Sequence, residues 1–493
     1  MENLALGFQV ALSPANLMFC FFGAAIGTFV GILPGIGPVT TIAMLLPLTF
    51  KMPALGAIIM LSGIYYGAHH AGSTTAIMLN MPGEPSSVVI CLDGHPMARN
   101  GRAGPALSIA AIGSFVAGCI GFVIVATLSP ILAQASLLFG PTEYFSTIVM
   151  ALILASVLSD NSLLTTLGMS LIGLLVGCVG TDLTTGDFRY TFDIPELAEG
   201  VNFVAVAVGL FAFGEIIMHL GTPEHRPRID TRIKGLIPTR ADLNQSWKPI
   251  LRGSMLGAFL GIFPGTGPLL SSFASYAMER RIAKDPSRFG KGAIEGVAGS
   301  EAANNAAAIT HFIPMLTLGI PAGAAMALML GALQIQGISP GPEVVTKHPD
   351  LFWGVIASMW IGNMMLLVLN LPMIGIWLRL LLIPFRLLYP AILAFCCIGV
   401  FSVNNASFDV TLAALFGLAG IIFKVLDCNP APLVLALVLE PLLEQNFRRA
   451  MIISDGDLST IVTRPISLAI LLLTATLTLL FVLRKRPVAG AET

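Results

Sequence analysis

The stretch Gly31-Ile-Leu-Pro-Gly-Ile-Gly-Pro38 recurs, with two changes, as Gly261-Ile-Phe-Pro-Gly-Thr-Gly-Pro268. Both copies interrupt runs of apolar residues, and their starting points lie close to half of the 493-residue chain apart. Proline removes a backbone donor and glycine loosens the chain, at about 3 and 1 kcal/mol against alanine, so neither copy fits a helix interior. The pattern therefore predicts the same break in two equivalent helices.

The composition is that of a membrane protein. Apolar residues make up 55% of the chain and charged residues 11%, whereas soluble domains carry about 25% charged residues. Runs near the length that spans a bilayer recur from end to end, and we predict an all-α polytopic membrane protein. The sequence has no basic patch for nucleic acid, and no P-loop, catalytic triad or H-E-x-x-H motif for an enzyme.

The order of apolar segments and loops divides the chain into two halves of similar design. We predict a first repeat over residues 1–221, a connector over 222–249, a second repeat over 250–451, and an additional membrane helix with a basic tail over 452–493. Each half also contains a second stretch broken by proline and glycine. We expect these stretches to form re-entrant hairpins at about 71–92 and about 311–336.

The distribution of positive charge predicts that the halves have opposite orientations. The loop after the second break, residues 280–291, carries five basic residues, whereas the matching loop in the first half has only Lys51. Conversely, Arg99 and Arg102 follow the first hairpin, and its counterpart holds one lysine beside acidic residues. Because basic loops stay in the cytoplasm, this is the signature of inverted-topology repeats. With both hairpins re-entrant, we expect a cytoplasmic connector, a cytoplasmic C-terminus and an external N-terminus. If the segment around Pro34 crosses the membrane only once, the N-terminus lies on the opposite side.

The breaks and hairpin tips contain the candidate binding groups. Paired broken segments mark the binding site in secondary transporters, because helix N-termini present free N–H groups and a positive dipole end to an anion. The residues predicted to bind the substrate are Gly35, Gly37, Thr40, Thr41, Asn80, Gly83, Ser86, Ser87, Gly265, Gly267, Ser271, Thr317, Gly319 and Gly323. The alternative is that the small residues only allow helices to pack closely.

Polar groups beside the tips are candidates for coupling transport to a cation. Hydroxyl and amide oxygens can bind Na⁺, and a carboxylate inside the membrane is a candidate for binding a cation or a proton. We assign this role to Ser73, Thr74, Thr75, Glu301, Asn304 and Asn305. Glu84 is a further carboxylate at a tip, and Glu215 and Glu440 are interpreted as lying near the membrane interface. The alternative for isolated hydroxyls is hydrogen bonding between helices.

Three histidines beside the hairpins, His69, His70 and His311, could transfer protons. A structural, hydrogen-bonded role is an equal alternative for each of them.

Five motifs occur in a fixed order over roughly residues 15–450: G-I-L-P-G-I-G-P at 31–38, N-M-P-G-E-P-S-S at 80–87, L-D-G-H-P-M-A-R-N-G at 92–101, E-A-A-N-N-A at 301–306 and L-T-L-G-I-P at 316–321. Together they resemble the large membrane subunit of the tripartite tricarboxylate transporters. The chain departs from that family's pattern at His69 and His70, where glycines are expected, and at Ala322, where glycine is expected.

The resemblance implies an importer of di- or tricarboxylates in the bacterial inner membrane, driven by Na⁺ or H⁺. It implies two partners, a small membrane subunit and a periplasmic solute-binding protein, and an elevator-type carrier whose hairpin tips meet at the midplane. A homodimer is expected by analogy with other elevator carriers. We expect no enzymatic activity, and no cofactor or metal other than the coupling ion. The alternatives are a passive anion channel and, with less support, a membrane-embedded enzyme.

Overall fold

A computed structural model describes residues 2–33, 37–157, 161–182, 184–220, 236–263, 267–380 and 385–484. These ranges are helical except for loops and one short antiparallel strand pair, β1 (Gly180–Thr181) and β2 (Phe188–Arg189). Within them, four helical stretches are long and apolar enough to span a bilayer, namely Pro14–Ile32, Pro85–Ser136, Pro349–Asn370 and Ser407–Val425. The prediction of an all-α protein with several membrane-length helices is confirmed.

The first half contains α1 (Glu2–Ala11), α2 (Pro14–Ile32), α3 (Gly37–Thr49), α4 (Ala54–Leu79), α5 (Val88–Met97), α6 (Ala103–Ser136), α7 (Pro141–Val157), α8 (Leu163–Gly177), α9 (Phe203–Ala207) and α10 (Gly214–Leu220). A π-helical stretch, Val208–Phe213, joins α9 to α10. A second π-helical stretch, Ala98–Arg102, follows α5 and contains Gly101 at φ 76°.

The second half contains α11 (Arg240–Gly261), α12 (Gly267–Ile282), α13 (Ile294–Thr310), α14 (Phe312–Leu318), α15 (Ala324–Ile335), α16 (Pro342–Lys347), α17 (Pro349–Asn370), α18 (Ile374–Leu380), α19 (Phe385–Asn404), α20 (Ser407–Val425) and α21 (Ala431–Ile453). Two further helices follow it, α22 (Thr460–Thr463) and α23 (Pro465–Arg484).

The second break lies at the tip of a helical hairpin. Residues 264–266, between α11 and α12, lie outside the described ranges. α12 returns along α11, because Glu279 near its end forms a bidentate ion pair with Arg252 near the middle of α11, at 2.5 and 2.8 Å. On its other side α12 packs on α13, where the Ser272 hydroxyl donates to the carbonyl of Ser300 at 3.2 Å.

The first break has the same arrangement. Residues 34–36 are outside the described ranges, and α2 and α3 flank them. The ring of Phe19, early in α2, packs against Gly56 at the start of α4, and Gly31 at the end of α2 packs against Ala68. α2 and α4 therefore run in the same direction, and α3 must bring the chain back between them.

Glycines every four residues let these parallel helix pairs approach closely. Gly23, Gly27 and Gly31 of α2 face the carbonyls of Met60, Ile64 and Ala68, and Gly253, Gly257 and Gly261 of α11 face those of Gly299, Ala303 and Ala307. A Cβ atom at any of the six would overlap the facing backbone, so only glycine allows the observed contact. The last glycine of each row is also the first residue of a break motif. The number of residues between the two glycine rows is therefore the same as that between the two break motifs.

Contacts between the halves show which loops lie at the same end of the helices. Arg102, after α5, forms an ion pair with Asp242 at the start of α11. The buried carboxylate of Asp93 accepts the backbone N–H groups of Gly292 and Ala293, both at 2.8 Å, just before α13. Residues 98–102, 236–242 and 283–293 therefore share one face, which we call the basic face. α4 has 26 residues and a length of about 39 Å, so its start at Ala54 lies at the opposite face.

The two stretches predicted as re-entrant hairpins each contain a helix break at a residue with left-handed backbone. α4 ends at Asn80, at φ 55°, and the chain then folds back so that the N–H of Gly83 donates to the carbonyl of Gly72 at 3.3 Å. α14 ends at Gly319, at φ 69°, and helix resumes only at Ala324. The chain turns sharply in both places, at an exposed position after α4 and at a buried position after α14.

The remaining helices form a second layer. α8 packs on α21, where Gly173 lies against the carbonyl of Leu433. The π-helical stretch Val208–Phe213 packs on α20 through Gly209. The C-terminal helix α23 lies against α7, with the Ser146 and Ser467 hydroxyls 2.7 Å apart. This helix lies within residues 452–493, where the sequence predicts an additional membrane helix.

We expect the substitution Gly257→Ala to destabilise the protein, because the added methyl group would overlap the backbone of Ala303. Overpacking of this kind costs about 1–3 kcal/mol. Gly168→Ala is the matched control, since Gly168 in α8 has open space at its Cβ position, and alanine there gains up to about 1 kcal/mol in helix propensity. Thermal unfolding of the purified proteins in detergent measures both. A Gly257→Ala variant as stable as Gly168→Ala would contradict the close-packing argument.

Candidate functional site

A cavity of about 590 Å³ brings together both breaks and both interrupted hairpin stretches. Its described lining includes residues 37–40 at the start of α3, 267–269 at the start of α12, 82–86 after α4, and 322–326 at the start of α15. α7, α10 and the start of α21 close the other side through Ala155, Glu215, Asn429, Ala431, Pro432 and Leu435. Segments from opposite halves of the sequence therefore share one chamber.

The helices that follow the two breaks begin at this cavity. α3 starts at Gly37 and α12 at Gly267, with φ angles of 55° and 60°. A Cβ atom would meet nothing within 4 Å at either position, so the positive φ, and not a lack of space, is what favours glycine. The first N–H groups of a helix have no partner within it, and both helices place such groups beside the chamber.

Some predicted substrate-binding residues line the cavity and others do not. Those in the lining are Gly37, Thr40, Gly83, Ser86, Gly267 and Gly323. Thr41, Ser87, Ser271 and Thr317 are buried outside it and donate to nearby carbonyls, at 2.9, 2.7, 3.0 and 2.7 Å respectively. Asn80 is exposed, and Gly319 packs against Pro340. Gly35 and Gly265 lie outside the described residues.

Glu84 is the centre of a buried polar cluster at the first tip. Its Oε2 lies 3.1 Å from His69 Nδ1 and accepts the N–H of Ser86 at 3.3 Å. Its Oε1 accepts from the Ser86 hydroxyl and from Asn304 Nδ2, the latter at 3.2 Å. Ser86 Oγ is also 2.7 Å from Asn304 Oδ1. The cluster thus connects the first hairpin stretch to α13 of the second half.

Glu301 is the centre of a second buried cluster, one helical turn before Asn305. Its Oε1 accepts from the Ser114 hydroxyl at 2.7 Å and from Asn305 Nδ2 at 3.0 Å. Asn305 Nδ2 also lies 2.8 Å from Ser114 Oγ. The predicted cation-coupling residues on α13 are therefore divided between two clusters, with Asn304 at Glu84 and Asn305 at Glu301.

The other predicted cation-coupling residues lie on α4 and are all buried. The Ser73 hydroxyl donates to the carbonyl of His70 at 3.3 Å, and the Thr75 hydroxyl donates to that of Gly72 at 3.4 Å. Thr74 lies between them, within the same turn of helix.

The list of binding and coupling residues predicted from the sequence omits Tyr65, and His69 and His311 are considered there only for proton transfer or a structural role. Tyr65, His69 and His311 line the chamber, and Tyr65 Oη lies 3.0 Å from His311 Nδ1. Ser114, which binds Glu301, is also missing from that list. A tyrosine or a serine in an apolar run gives no periodic signal, and their partners are 246 and 187 residues away.

The charges at the cavity are few. None of its described lining residues is lysine or arginine. Two carboxylates line it, Glu84 in the cluster above and Glu215, which pairs with Lys424 at 3.0 Å. An anion in this chamber would have to rely mainly on helix N-termini, hydroxyl groups and imidazoles.

Comparison with known proteins gives consistent matches. A family model described as "Tripartite tricarboxylate transporter TctA family" matches residues 17–435. The "Uncharacterized 52.8 kDa protein in TAR-I ttuC' 3'region" of Agrobacterium vitis is 52% identical over 470 residues, which is 95% of this chain and 94% of that protein. The "Uncharacterized protein in TAR-II ttuC' 3'region" of the same organism is 57% identical over 215 residues, 44% of this chain and 89% of that protein. No solved structure matches significantly.

The family match covers both breaks, both interrupted hairpin stretches and most of the cavity wall. The chain therefore belongs to the tripartite tricarboxylate transporter TctA family, whose members are the large membrane subunits of these transporters, and it is a transport protein rather than an enzyme.

Proposed function

We propose that this chain is the permease subunit of a binding-protein-dependent secondary transporter that imports di- or tricarboxylates, driven by Na⁺ or H⁺. The observation that carries the proposal is the cavity shared by two broken helices and two interrupted hairpin stretches. Discontinuous helices of this kind supply both the anion-binding N-termini and the cation-binding oxygens of secondary transporters. The partners are a small membrane subunit and a periplasmic solute-binding protein that delivers the substrate.

We interpret the two halves as inverted-topology repeats. The α2–α3 and α11–α12 hairpins start from opposite faces, and α3 and α12 both begin at the same chamber. The two break motifs and the two glycine rows are separated by the same number of residues, which supports a shared origin of the two halves. An elevator-type motion would carry these hairpins past the layer that contains α7, α8, α20 and α21.

The charges support an inner-membrane location with the basic face in the cytoplasm. That face carries Arg99, Arg102 and the basic residues of 280–291, whereas the loop between α8 and α9 at the other face holds five acidic residues and one arginine. Positive loops remain on the cytoplasmic side. Glu215, close in sequence to the connector, lines the cavity, and we therefore infer that the chamber lies nearer the cytoplasm.

In this proposal, the substrate carboxylates bind the helix N-termini at Gly37 and Gly267 and the polar groups at Gly83, Ser86 and Gly323. Gly35 and Gly265 precede these N-termini and are assigned to the same site. The clusters at Glu84 and Glu301 couple the substrate to the cation. Each joins a carboxylate to an asparagine and a serine, a set of oxygen ligands suited to Na⁺ and, at the carboxylate, to a proton.

We expect Asn304→Ala and Asn305→Ala each to reduce concentrative uptake strongly, because each removes an amide that bridges two segments of a cluster. The measurement is uptake of labelled carboxylates by proteoliposomes that contain the assembled subunits. Asn370→Ala is the control, since within the described ranges the amide of this buried asparagine donates only to the carbonyl of Leu366 in its own helix. Normal uptake by both variants would reject the assigned tip, and equilibration without accumulation by the wild type would indicate a channel.

We expect Glu301→Gln to abolish accumulation while leaving exchange of substrate across the membrane, because the amide keeps the hydrogen-bonding shape of the cluster but loses the charge that binds the cation. Imposing a Na⁺ gradient and a pH gradient separately on wild-type vesicles identifies the coupling ion. Glu143→Gln is the control, since Glu143 is a buried carboxylate that pairs with Arg464 far from the cavity. Gradient-driven accumulation by Glu301→Gln at the wild-type level would exclude the assignment.

A further inference from the structure

His311, at the junction of α13 and α14, has one hydrogen-bonded ring nitrogen and one without a partner among the described residues. Nδ1 lies 3.0 Å from the phenol oxygen of Tyr65. Nε2 is buried and has no hydrogen-bond partner among the described residues. The residue is 2% exposed and lines the cavity. Because a buried polar atom without a partner is costly and rare in native proteins, this nitrogen indicates a group that the chamber receives.

The hydrogen-bond partners identify which nitrogen carries the proton. The Tyr65 hydroxyl is buried, and His311 Nδ1 is its one hydrogen-bond partner within the described part of the chain. The phenol proton is satisfied only if Tyr65 donates and Nδ1 accepts. In a neutral imidazole the proton is then on Nε2, which makes that buried atom a donor on a residue of the cavity lining.

The surroundings of Tyr65 hold this arrangement in place. Its ring packs edge-on against His69 and Phe312, with centroid distances of 4.6 and 6.1 Å, and lies nearly parallel to the ring of His311 at 6.5 Å. The ring therefore has little freedom to move the phenol oxygen away from His311 Nδ1 toward another acceptor.

The chamber needs such a donor if it binds an anion. Its described lining has no lysine or arginine, and its two carboxylates already have partners, Glu84 in its cluster and Glu215 at Lys424. A carboxylate accepts strong hydrogen bonds from N–H donors. His311 Nε2–H is a buried side-chain donor in this wall. No group within the described ranges accepts a hydrogen bond from it.

We propose that His311 Nε2–H binds a carboxylate of the transported substrate directly, and that Tyr65 is a positioning residue that fixes the imidazole tautomer. This inference rests on the proposed carboxylate transport and adds a specificity residue to it. Replacing Tyr65 by phenylalanine would free Nδ1 to take the proton, and Nε2 would then present a lone pair that repels the anion.

The test is equilibrium binding of ¹⁴C-labelled citrate, tartrate and succinate to the purified full-length chain in lipid nanodiscs. We expect His311→Ala to weaken binding of the preferred acid on the order of 10- to 100-fold, the effect of losing one hydrogen bond to a charged group. His311→Gln should lose less, because its amide N–H can donate from a similar position. Thermal unfolding of each variant controls for misfolding.

His70→Ala is the matched control. His70 is also buried and its Nε2 also lacks a partner among the described residues, but it is not part of the described cavity lining. We expect its affinity for the acids to match that of the wild type. A loss as large as that of His311→Ala would mean that burial alone, and not the position at the cavity, causes the effect, and it would overturn the assignment.

A double-mutant cycle tests the positioning role of Tyr65. Tyr65→Phe should weaken binding in the wild-type background and have little further effect in the His311→Gln background, where no tautomer exists to be fixed. Equal losses in both backgrounds would show a merely structural role for the tyrosine and overturn that part of the proposal.

The outcomes separate this inference from the proposed function. Wild-type binding with an unchanged His311→Ala affinity would overturn the histidine assignment and leave carboxylate transport standing. If the wild type bound none of the three acids, and proteoliposomes with the assembled subunits transported none, both proposals would fail together.

Discussion

A peptide group in the hydrocarbon core of a membrane cannot exchange its hydrogen bonds for water, so an interrupted helix survives there only where protein or an aqueous chamber satisfies the freed groups. This chain interrupts four helical segments, and all four interruptions border one cavity. The cavity is therefore a condition for the fold as well as a place for a ligand. The same unpaired N–H groups that would be costly in lipid become useful when an anion is present.

Close helix packing keeps these interruptions at fixed positions. The glycine rows of α2 and α11 bring each hairpin to within backbone contact of the long helix beside it. Dispersion contacts of this kind are the main source of helix association in lipid, where burial of apolar surface gives no advantage over the lipid tails. At the basic face, Asp93 adds polar bonds between the halves by accepting two N–H groups at 2.8 Å and the Tyr276 hydroxyl at 2.9 Å.

The sequence predicts the helical membrane class and the position of the breaks, because glycine and proline act locally and their repetition is visible without any structure. It also identifies Glu84 and Glu301 as unusual carboxylates. It does not reveal which neighbours they have, since Ser114 and Asn304 meet them through packing between distant segments. The hydroxyls of Thr41 and Ser271 show a further limit, because each donates to a carbonyl four residues earlier in its own helix. Sequence spacing places these groups near the chamber but cannot show where a hydroxyl points.

The bond between Ser86 and Asn304 has a consequence for the energetics of transport. Ser86 lines the chamber, and Asn304 holds the Glu84 carboxylate inside the protein wall. In the proposed function, a substrate that reorients Ser86 would therefore change the free energy of a cation bound at the carboxylate beside it. Thermodynamic linkage makes this influence mutual. The factor by which a bound cation would change the affinity for the substrate equals the factor by which the substrate would change the affinity for the cation.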